Sequence, residues 1–241
     1  MPAVPWWAVL SSVAAPVLLA VGWTVAAVRQ PPGYDPLTDT VSALSSYGPT
    51  DRLIMTVCLA GLGVTYLVTA LGLRFAAVAG RLMLGCGGLA TVLVSLFPKP
   101  VNGTPPAHGI AATVAFVALG LWPAAATLYH PRDAGGRAAA VLRARIRGPA
   151  ADAGRARSAL GGRLEDGRPW AVRVPVALTA SALMLGLAGW LALQLPDGLW
   201  TGLAERMVAV AQALWPLIVV ISVRRTARRS GWPDAARRCT G

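Results

Sequence analysis

Long apolar runs alternate with polar connections along this chain. Six runs carry no charged side chain, with histidine counted as neutral, and each is close to the ~20 residues that cross a ~30 Å hydrocarbon core. Their apolar positions do not keep to one face at a 3.6-residue period, as is typical of helices surrounded by lipid. The pattern predicts six membrane-spanning helices, at about 5–28, 52–73, 78–97, 107–129, 173–195 and 199–223.

These elements define an all-α, polytopic membrane protein with six helices in one bundle and one membrane domain over residues 1–241. A cleaved signal peptide is the alternative for the first run. It fits poorly, because no Lys or Arg precedes the run and the run exceeds an ordinary signal core. The Arg-rich segment 131–169 keeps no apolar period, so we expect a mostly disordered cytoplasmic loop, and residues 224–241 form a basic tail.

Composition supports a membrane protein. Hydrophobic residues make up 55% of the chain and charged residues 13%, against about 25% charged residues in soluble domains. The mean hydropathy is +0.57. Three cysteines are present, none in a C-x-x-C pair and none placed for an outside disulfide.

The net charge of +12 is distributed unevenly over the connections. Eighteen of the 22 basic residues fall on one side, and Arg29, Arg52, Lys99 and Arg206 fall on the other. The positive-inside rule then predicts cytoplasmic N- and C-termini in a multi-pass protein of the plasma membrane. We expect the bilayer as partner, with anionic lipid head groups at the Arg-rich segments. Aromatic residues are not interleaved with these arginines, so no nucleic-acid partner is predicted, and the oligomeric state stays open.

Seven polar residues near helix ends share the predicted outside and form the candidate site: Asp39, Ser42, Asp51, Arg52, His108, Glu205 and Arg206. Glu205 lies about two turns, or ~10 Å, into its helix and needs a partner there. Arg52 is the expected partner of Glu205, and Arg206 is expected to pair with Asp51 or an acid of the first connection. The cluster is either structural ion pairing between the second and sixth helices or a functional cavity.

His108 and Asp51 each have a structural interpretation as well. Asp51 with Thr50 suits a cap of the second helix, and His108 suits an interfacial cap or a proton-exchanging group. A zinc site of His108 with carboxylates, or a triad of Ser42 or Ser45 with His108 and an acid, is also conceivable. Two histidines on opposite sides cannot form a three-histidine site and no G-x-S-x-G elbow occurs, so no metal and no cofactor are predicted.

The first connection contains the stretch YDPLTDTVSALSSYG, Tyr34 to Gly48. Its segment TDTVSALSS has room for one or two helical turns that start from a Thr38 or Asp39 cap. We expect these turns to lie along the membrane surface as a lid, with Asp39 and Ser42 pointing down into the cluster.

The strings DPLTDTVSALSSYGPTDRLIM, PPAHGIAA and LAERMVAVAQALWPLIVV carry a family resemblance. They resemble the integral membrane family catalogued as domain of unknown function 998, of the actinobacterial type, over about residues 5–129 and 173–223. The resemblance implies a six-helix membrane fold and recurrent polar positions at the same seven candidate residues. It implies no reaction.

Three functions follow from these patterns. The first is an outward-facing polar cavity that binds or processes a lipid or other amphipathic molecule at the outer leaflet. The second is a proton-coupled transporter of small molecules that uses Glu205 and His108, although the inner half offers little polar lining. The third is a non-catalytic assembly or sensing subunit in which the charges are architectural. Whether the protein is an enzyme stays open.

Overall fold

Six long helices form the described part of the chain. The structure is a computed structural model that describes residues 4–99, 106–128, 169–196 and 198–229. The long helices are α1 Trp6–Val28, α2 Leu53–Gly72, α3 Val78–Leu96, α4 Pro106–Ala125, α5 Val174–Gln194 and α6 Thr201–Arg229. Two 3-10 helices, Ser42–Ser45 and Trp170–Val172, precede α2 and α5, and no strand occurs among the described residues.

All six long helices are long and apolar enough to cross a membrane, which confirms the predicted all-α, six-span architecture. Helices satisfy their backbone groups internally, so apolar sequences of this length can remain helical in lipid. Two bounds differ from the prediction by more than two residues. α4 stops at Ala125, four residues early, and α6 runs to Arg229, six residues into the predicted tail.

The difference in α6 has a local cause. Arginine is a good helix former, so the basic residues that follow Val223 continue the apolar helix. The Thr226 hydroxyl also donates to the Ser222 carbonyl at 3.0 Å. The predicted disordered loop 131–169, apart from Pro169, and the rest of the basic tail lie outside the described residues.

Neighbouring helices pack in a closed order, with α1 on α2, α2 on α3, α3 on α4, α4 on α5, α5 on α6 and α6 back on α1. Glycine allows the closest approach in this ring. A Cβ atom added to Gly63 of α2 would lie 2.5 Å from the Gly88 carbonyl oxygen of α3. Close backbone contact through small residues is the usual packing of membrane helices.

Successive helices run antiparallel, so the bundle has two distinct ends. At one end, the start of α2 meets the end of α1, where Arg29 and Asp51 form a salt bridge. The first connection, residues 29–52, lies at this end, together with the C-terminal ends of α3 and α5 and the N-terminal ends of α4 and α6. We call it the first-connection end, because residues 29–52 cover it.

Candidate functional site

The first connection folds around the short helix Ser42–Ser45. The Ala43 backbone N–H donates to the Thr40 hydroxyl oxygen at 3.1 Å, so Thr40 caps this turn. Ser42, Leu44 and Ser45 are buried. One helical turn of the predicted segment is therefore present, but its N-cap position is Val41 rather than Thr38 or Asp39, and the Thr40 hydroxyl binds the turn from the residue before.

Glu205 binds the backbone at the start of this turn. Its carboxylate accepts hydrogen bonds from the backbone N–H groups of Val41 and Ser42, the latter at 3.3 Å from each oxygen. The N–H groups at the start of a helical turn lack partners within the turn and favour an anion. Glu205 is 8% exposed. The backbone N–H groups of the first connection therefore supply the hydrogen bonds that this buried carboxylate needs.

Arg206 binds the preceding part of the same connection. Its Nη1 donates to the carbonyl oxygens of Pro36 at 2.7 Å and Asp39 at 2.8 Å, and its Nη2 donates to the Tyr34 hydroxyl. Gly202 makes this contact possible, because a Cβ atom there would lie 2.4 Å from the Asp39 carbonyl oxygen. We call Glu205 and Arg206 together the α6 clamp.

Tyr34 keeps its proton at this contact. Burial raises the pKa of Tyr34 above its usual value, and the Arg206 guanidinium opposes that rise. The phenol is therefore neutral at physiological pH. It accepts a charge-assisted hydrogen bond from Arg206, which is stronger than a neutral one.

The ion pairs expected from the sequence are wrong. The Arg52 guanidinium lies 4.7 Å from the centroid of the Tyr47 ring, and Glu205 binds backbone instead. Arg206 binds backbone carbonyls and a phenol rather than a carboxylate. Within the described ranges the salt bridge is Arg29 with Asp51 at 2.8 Å.

Asp51 and Asp39 also differ from their expected roles. The N-cap of α2 is Arg52, without a side-chain cap hydrogen bond, and Asp51 adopts a φ of 52°. The Asp51 carboxylate is engaged by Arg29 and does not cap α2. The Asp39 carboxylate accepts the Asp35 backbone N–H at 2.9 Å, so it folds back on its own loop. Of the two residues expected to point into the cluster, only Ser42 does so.

His108 is a buried residue in the first turn of α4. Its Nδ1 lies 2.8 Å from the carbonyl oxygen of Phe97, and its side chain is 2% exposed. A carbonyl can only accept, so Nδ1 carries a proton and Nε2 is the acceptor of the neutral ring. The Tyr47 backbone N–H donates to the Lys99 carbonyl at 3.1 Å, which ties the first connection to this region.

A groove of about 720 Å³ lies between α4 and α5 at the first-connection end. Its upper part carries polar side chains: Thr38, Thr40, Ser42, Lys99, His108, Thr201 and Glu205. Its lower part is almost wholly apolar, with Ala112, Phe116 and Val117 on α4 and Leu185, Ala188, Leu191 and Leu195 on α5 among its lining. Val117 and Gly189 are exposed on the bundle surface, so the groove opens sideways where lipid would lie.

A second cavity of about 70 Å³ lies inside the ring of helices. Four residues line both spaces and lie between them: Ser42, Ala112, Phe116 and Glu205. The Gln212 amide, two turns after Glu205 on α6, donates to the Phe116 carbonyl at 2.8 Å. Glu205 of the α6 clamp therefore lies between the lipid-facing groove and the bundle interior.

The structure brings Ser42, His108 and Glu205 together in the groove and leaves Asp39, Asp51, Arg52 and Arg206 outside its lining. Sequence reasoning missed Lys99, Thr201 and Tyr34. The sequence contained an indication that Lys99 belongs to the site. It is the one lysine in an arginine-rich chain, and it falls on the side with few basic residues. Within the described residues, no three His, Cys, Asp or Glu side chains gather as metal ligands do.

Six apolar spans and a sideways-opening groove define a multi-pass membrane protein of the helical-bundle class. The model of the family described as "Protein of unknown function (DUF998)" matches residues 13–150, more than half of the chain. The chain belongs to this family, as the resemblance implied, although residues 173–223 lie beyond the match. No curated protein and no solved structure matches the chain.

Proposed function

We propose that this protein binds a lipid-like amphipathic molecule in the groove between α4 and α5. The observation that carries the proposal is the division of one groove into a polar upper part and an apolar lower part. A volume of about 720 Å³ falls within the range of small-molecule sites, which are mostly apolar with a few placed polar groups. An amphipath satisfies both parts at once.

The direction of entry follows from exposure. Val117 of α4 and Gly189 of α5 are exposed at the groove's sideways opening, so an acyl chain reaches it from the bilayer without crossing a loop. With both termini in the cytoplasm, as the charge distribution predicts, the polar part lies at the outer leaflet. The first connection then covers the head group, with its position fixed by Glu205 and Arg206.

The deep end of the groove is closed by packing. The Ala124 backbone N–H donates to the Ser181 hydroxyl oxygen at 3.0 Å, and a Cβ atom added to Gly120 would lie 2.7 Å from Leu185. α4 and α5 are therefore in contact in one half and apart in the other. This arrangement favours a bound ligand over a passage through the whole bundle.

Filling the groove tests the proposal. A Cβ atom at Gly189 would meet no atom within 4 Å, so a side chain can start there, and Gly189→Leu adds volume at the groove. Gly186 of the same helix is equally open but does not line the groove, so Gly186→Leu is the matched control. Each protein is placed in nanodiscs of phosphatidylglycerol that carries a diazirine on one acyl chain, and the labelled peptides are identified by mass spectrometry.

We expect wild-type protein and Gly186→Leu to be labelled on the groove faces of α4 and α5. Gly189→Leu should lower that labelling about tenfold, which is ~1.4 kcal/mol of binding free energy. Labelling spread evenly over all lipid-facing helices, or groove labelling that Gly189→Leu leaves unchanged, would contradict the proposal.

A further inference from the structure

Some polar groups that line the groove have hydrogen-bonding capacity that the protein does not use, and these groups indicate which ligand head group could bind. Lys99 is the basic residue that lines the polar part. Its ammonium interacts electrostatically with the Glu205 carboxylate but forms neither a hydrogen bond nor a salt bridge with any residue in the described part of the chain. An ammonium has three donors and no acceptor, and it binds phosphate as a point charge. The groove therefore offers a cation to an anionic group of the ligand.

The other polar groups are mostly acceptors. The Thr201 hydroxyl donates its one proton to the carbonyls of Gln194 at 2.8 Å and Gly198 at 2.9 Å. The Thr38 hydroxyl donates to the Asp35 carbonyl at 3.4 Å. A hydroxyl that has donated its proton still has oxygen lone pairs, so both side chains can accept from a ligand.

His108 and Glu205 extend this acceptor set. His108 donates through Nδ1 to Phe97, which leaves Nε2 of the neutral ring as an acceptor. The Glu205 carboxylate has about four lone-pair sites and holds the two backbone N–H groups of Val41 and Ser42. Against these acceptors, Lys99 and the hydroxyls of Thr40 and Thr113 supply the protons that remain for a ligand, and Thr113 lies deeper, beside the apolar lining of α4. A ligand that fits must bring donors of its own.

We propose that the head group is a phosphodiester whose substituent carries hydrogen-bond donors, such as phosphoethanolamine or phosphoglycerol. Its phosphate binds Lys99, and its ammonium or hydroxyl protons bind the lone pairs of Thr38, Thr201 and His108. Phosphocholine carries the same phosphate but no donor proton, so it leaves the acceptors unpaired. The inference rests on the proposed function, because the head group is held at the mouth of the acyl groove.

The test compares three phospholipids that differ only in the head group. Wild-type protein is placed in nanodiscs that contain a small fraction of phosphatidylethanolamine, phosphatidylglycerol or phosphatidylcholine, each with the same diazirine-bearing acyl chain. Labelling of the α4 and α5 groove peptides is measured for each. We expect the two donor-bearing lipids to label the groove about three- to tenfold more than phosphatidylcholine, the effect of one or two net hydrogen bonds.

Two pairs of variants test the residues. Lys99→Gln should lower groove labelling by all three lipids, whereas Arg52→Gln, a cation at the same end outside the groove, should not. Thr38→Val should reduce the preference over phosphatidylcholine, whereas Thr50→Val, an exposed threonine of the same connection outside the groove, should keep it.

Equal groove labelling by the three lipids, together with no effect of Lys99→Gln, overturns the head-group inference and leaves acyl binding standing. Labelling that avoids the groove with every lipid overturns the proposed function itself. The two failures are therefore distinguishable in one experiment.

Discussion

Glu205 and Arg206 hold one loop by opposite chemistry. The carboxylate accepts from backbone N–H groups at Val41 and Ser42, and the guanidinium donates to backbone carbonyls at Pro36 and Asp39. Adjacent helical residues point ~100° apart, so each reaches a different part of the connection. Buried backbone groups need partners, and two neighbouring residues of α6 supply them for a segment without regular structure.

The carboxylate should control how tightly the loop is held. Glu205→Gln keeps the shape of the side chain but loses the charge and one acceptor oxygen. We expect backbone amides 41 and 42 to exchange with deuterium about tenfold faster, because a charge-assisted hydrogen bond is replaced by a weaker one. Hydrogen–deuterium exchange of the detergent-solubilised protein measures this change.

Asp51→Asn is the control for that experiment, since Asp51 is an acid at the same end whose partner is Arg29. It should leave exchange at residues 41 and 42 unchanged. Unaltered protection of these amides in Glu205→Gln would show that the loop is held by its other contacts.

The sequence showed that Glu205 needs a hydrogen-bonding or charged partner, but it did not show which group that partner is. Depth along the helix follows from position alone, and a buried charge must be compensated. Arg52 was the expected partner because a sequence identifies charged side chains. It does not show which backbone N–H groups of a folded loop are left to bind a carboxylate. Ser42 and His108 line the same groove as Glu205, and both lie at helix or loop positions fixed by the number of spans.

At the scale of elements, the contact between α2 and α3 depends on two glycines. A Cβ atom at Gly88 would lie 2.7 Å from the Gly63 carbonyl oxygen. Gly88→Ala should therefore push the helices apart and lower the stability by about 1–3 kcal/mol, the usual cost of overpacking. Thermal unfolding in detergent, followed by circular dichroism, measures the loss.

Gly85→Ala on the same helix is the matched control. A Cβ atom at Gly85 has its nearest neighbour at 4.0 Å, in the Leu67 side chain, so this change should be neutral or slightly stabilising. Equal melting temperatures for the two variants would show that the contact between α2 and α3 tolerates an added methyl group.

The elements themselves were largely predictable. Runs without charge set the six spans to within two residues at most ends, because desolvating a charge is costly in lipid. The errors fell where this rule does not apply. α6 continues past Val223 because arginines beyond the membrane still favour helix, and α4 ends at Ala125 although apolar residues follow it.

At the scale of the whole molecule, the groove was not predictable from the chain. It exists because α4 and α5 touch at Ser181 and Ala124 and separate toward His108 and Leu195. Hydrophobicity marks both helices as spans but carries no information on the angle between them. The sequence could place polar residues at one end, and only the packing shows which of them share a space.

The orientation of the molecule is a prediction of its charge distribution. In a variant whose native cysteines are replaced, Thr50→Cys should react with a membrane-impermeant maleimide in intact cells, because Thr50 is exposed at the first-connection end. Arg224→Cys, exposed on α6 at the other end, should react only after the membrane is opened.

The reverse pattern would place both termini outside and contradict the positive-inside assignment. Labelling of both cysteines in intact cells would indicate mixed insertion. With the reverse pattern the groove would face the other leaflet, and its internal geometry would be unchanged.

The closed inner half of the α4–α5 contact has a consequence for lipid asymmetry. From His108 to Val117 the groove descends nine residues, ~13 Å along the helix and less than half of a ~30 Å hydrocarbon core. A molecule held there belongs to a single monolayer, and the packed segment around Leu185 and Gly120 gives its head group no route to the opposite one. Under the proposed function, the groove would therefore exchange its ligand with one leaflet.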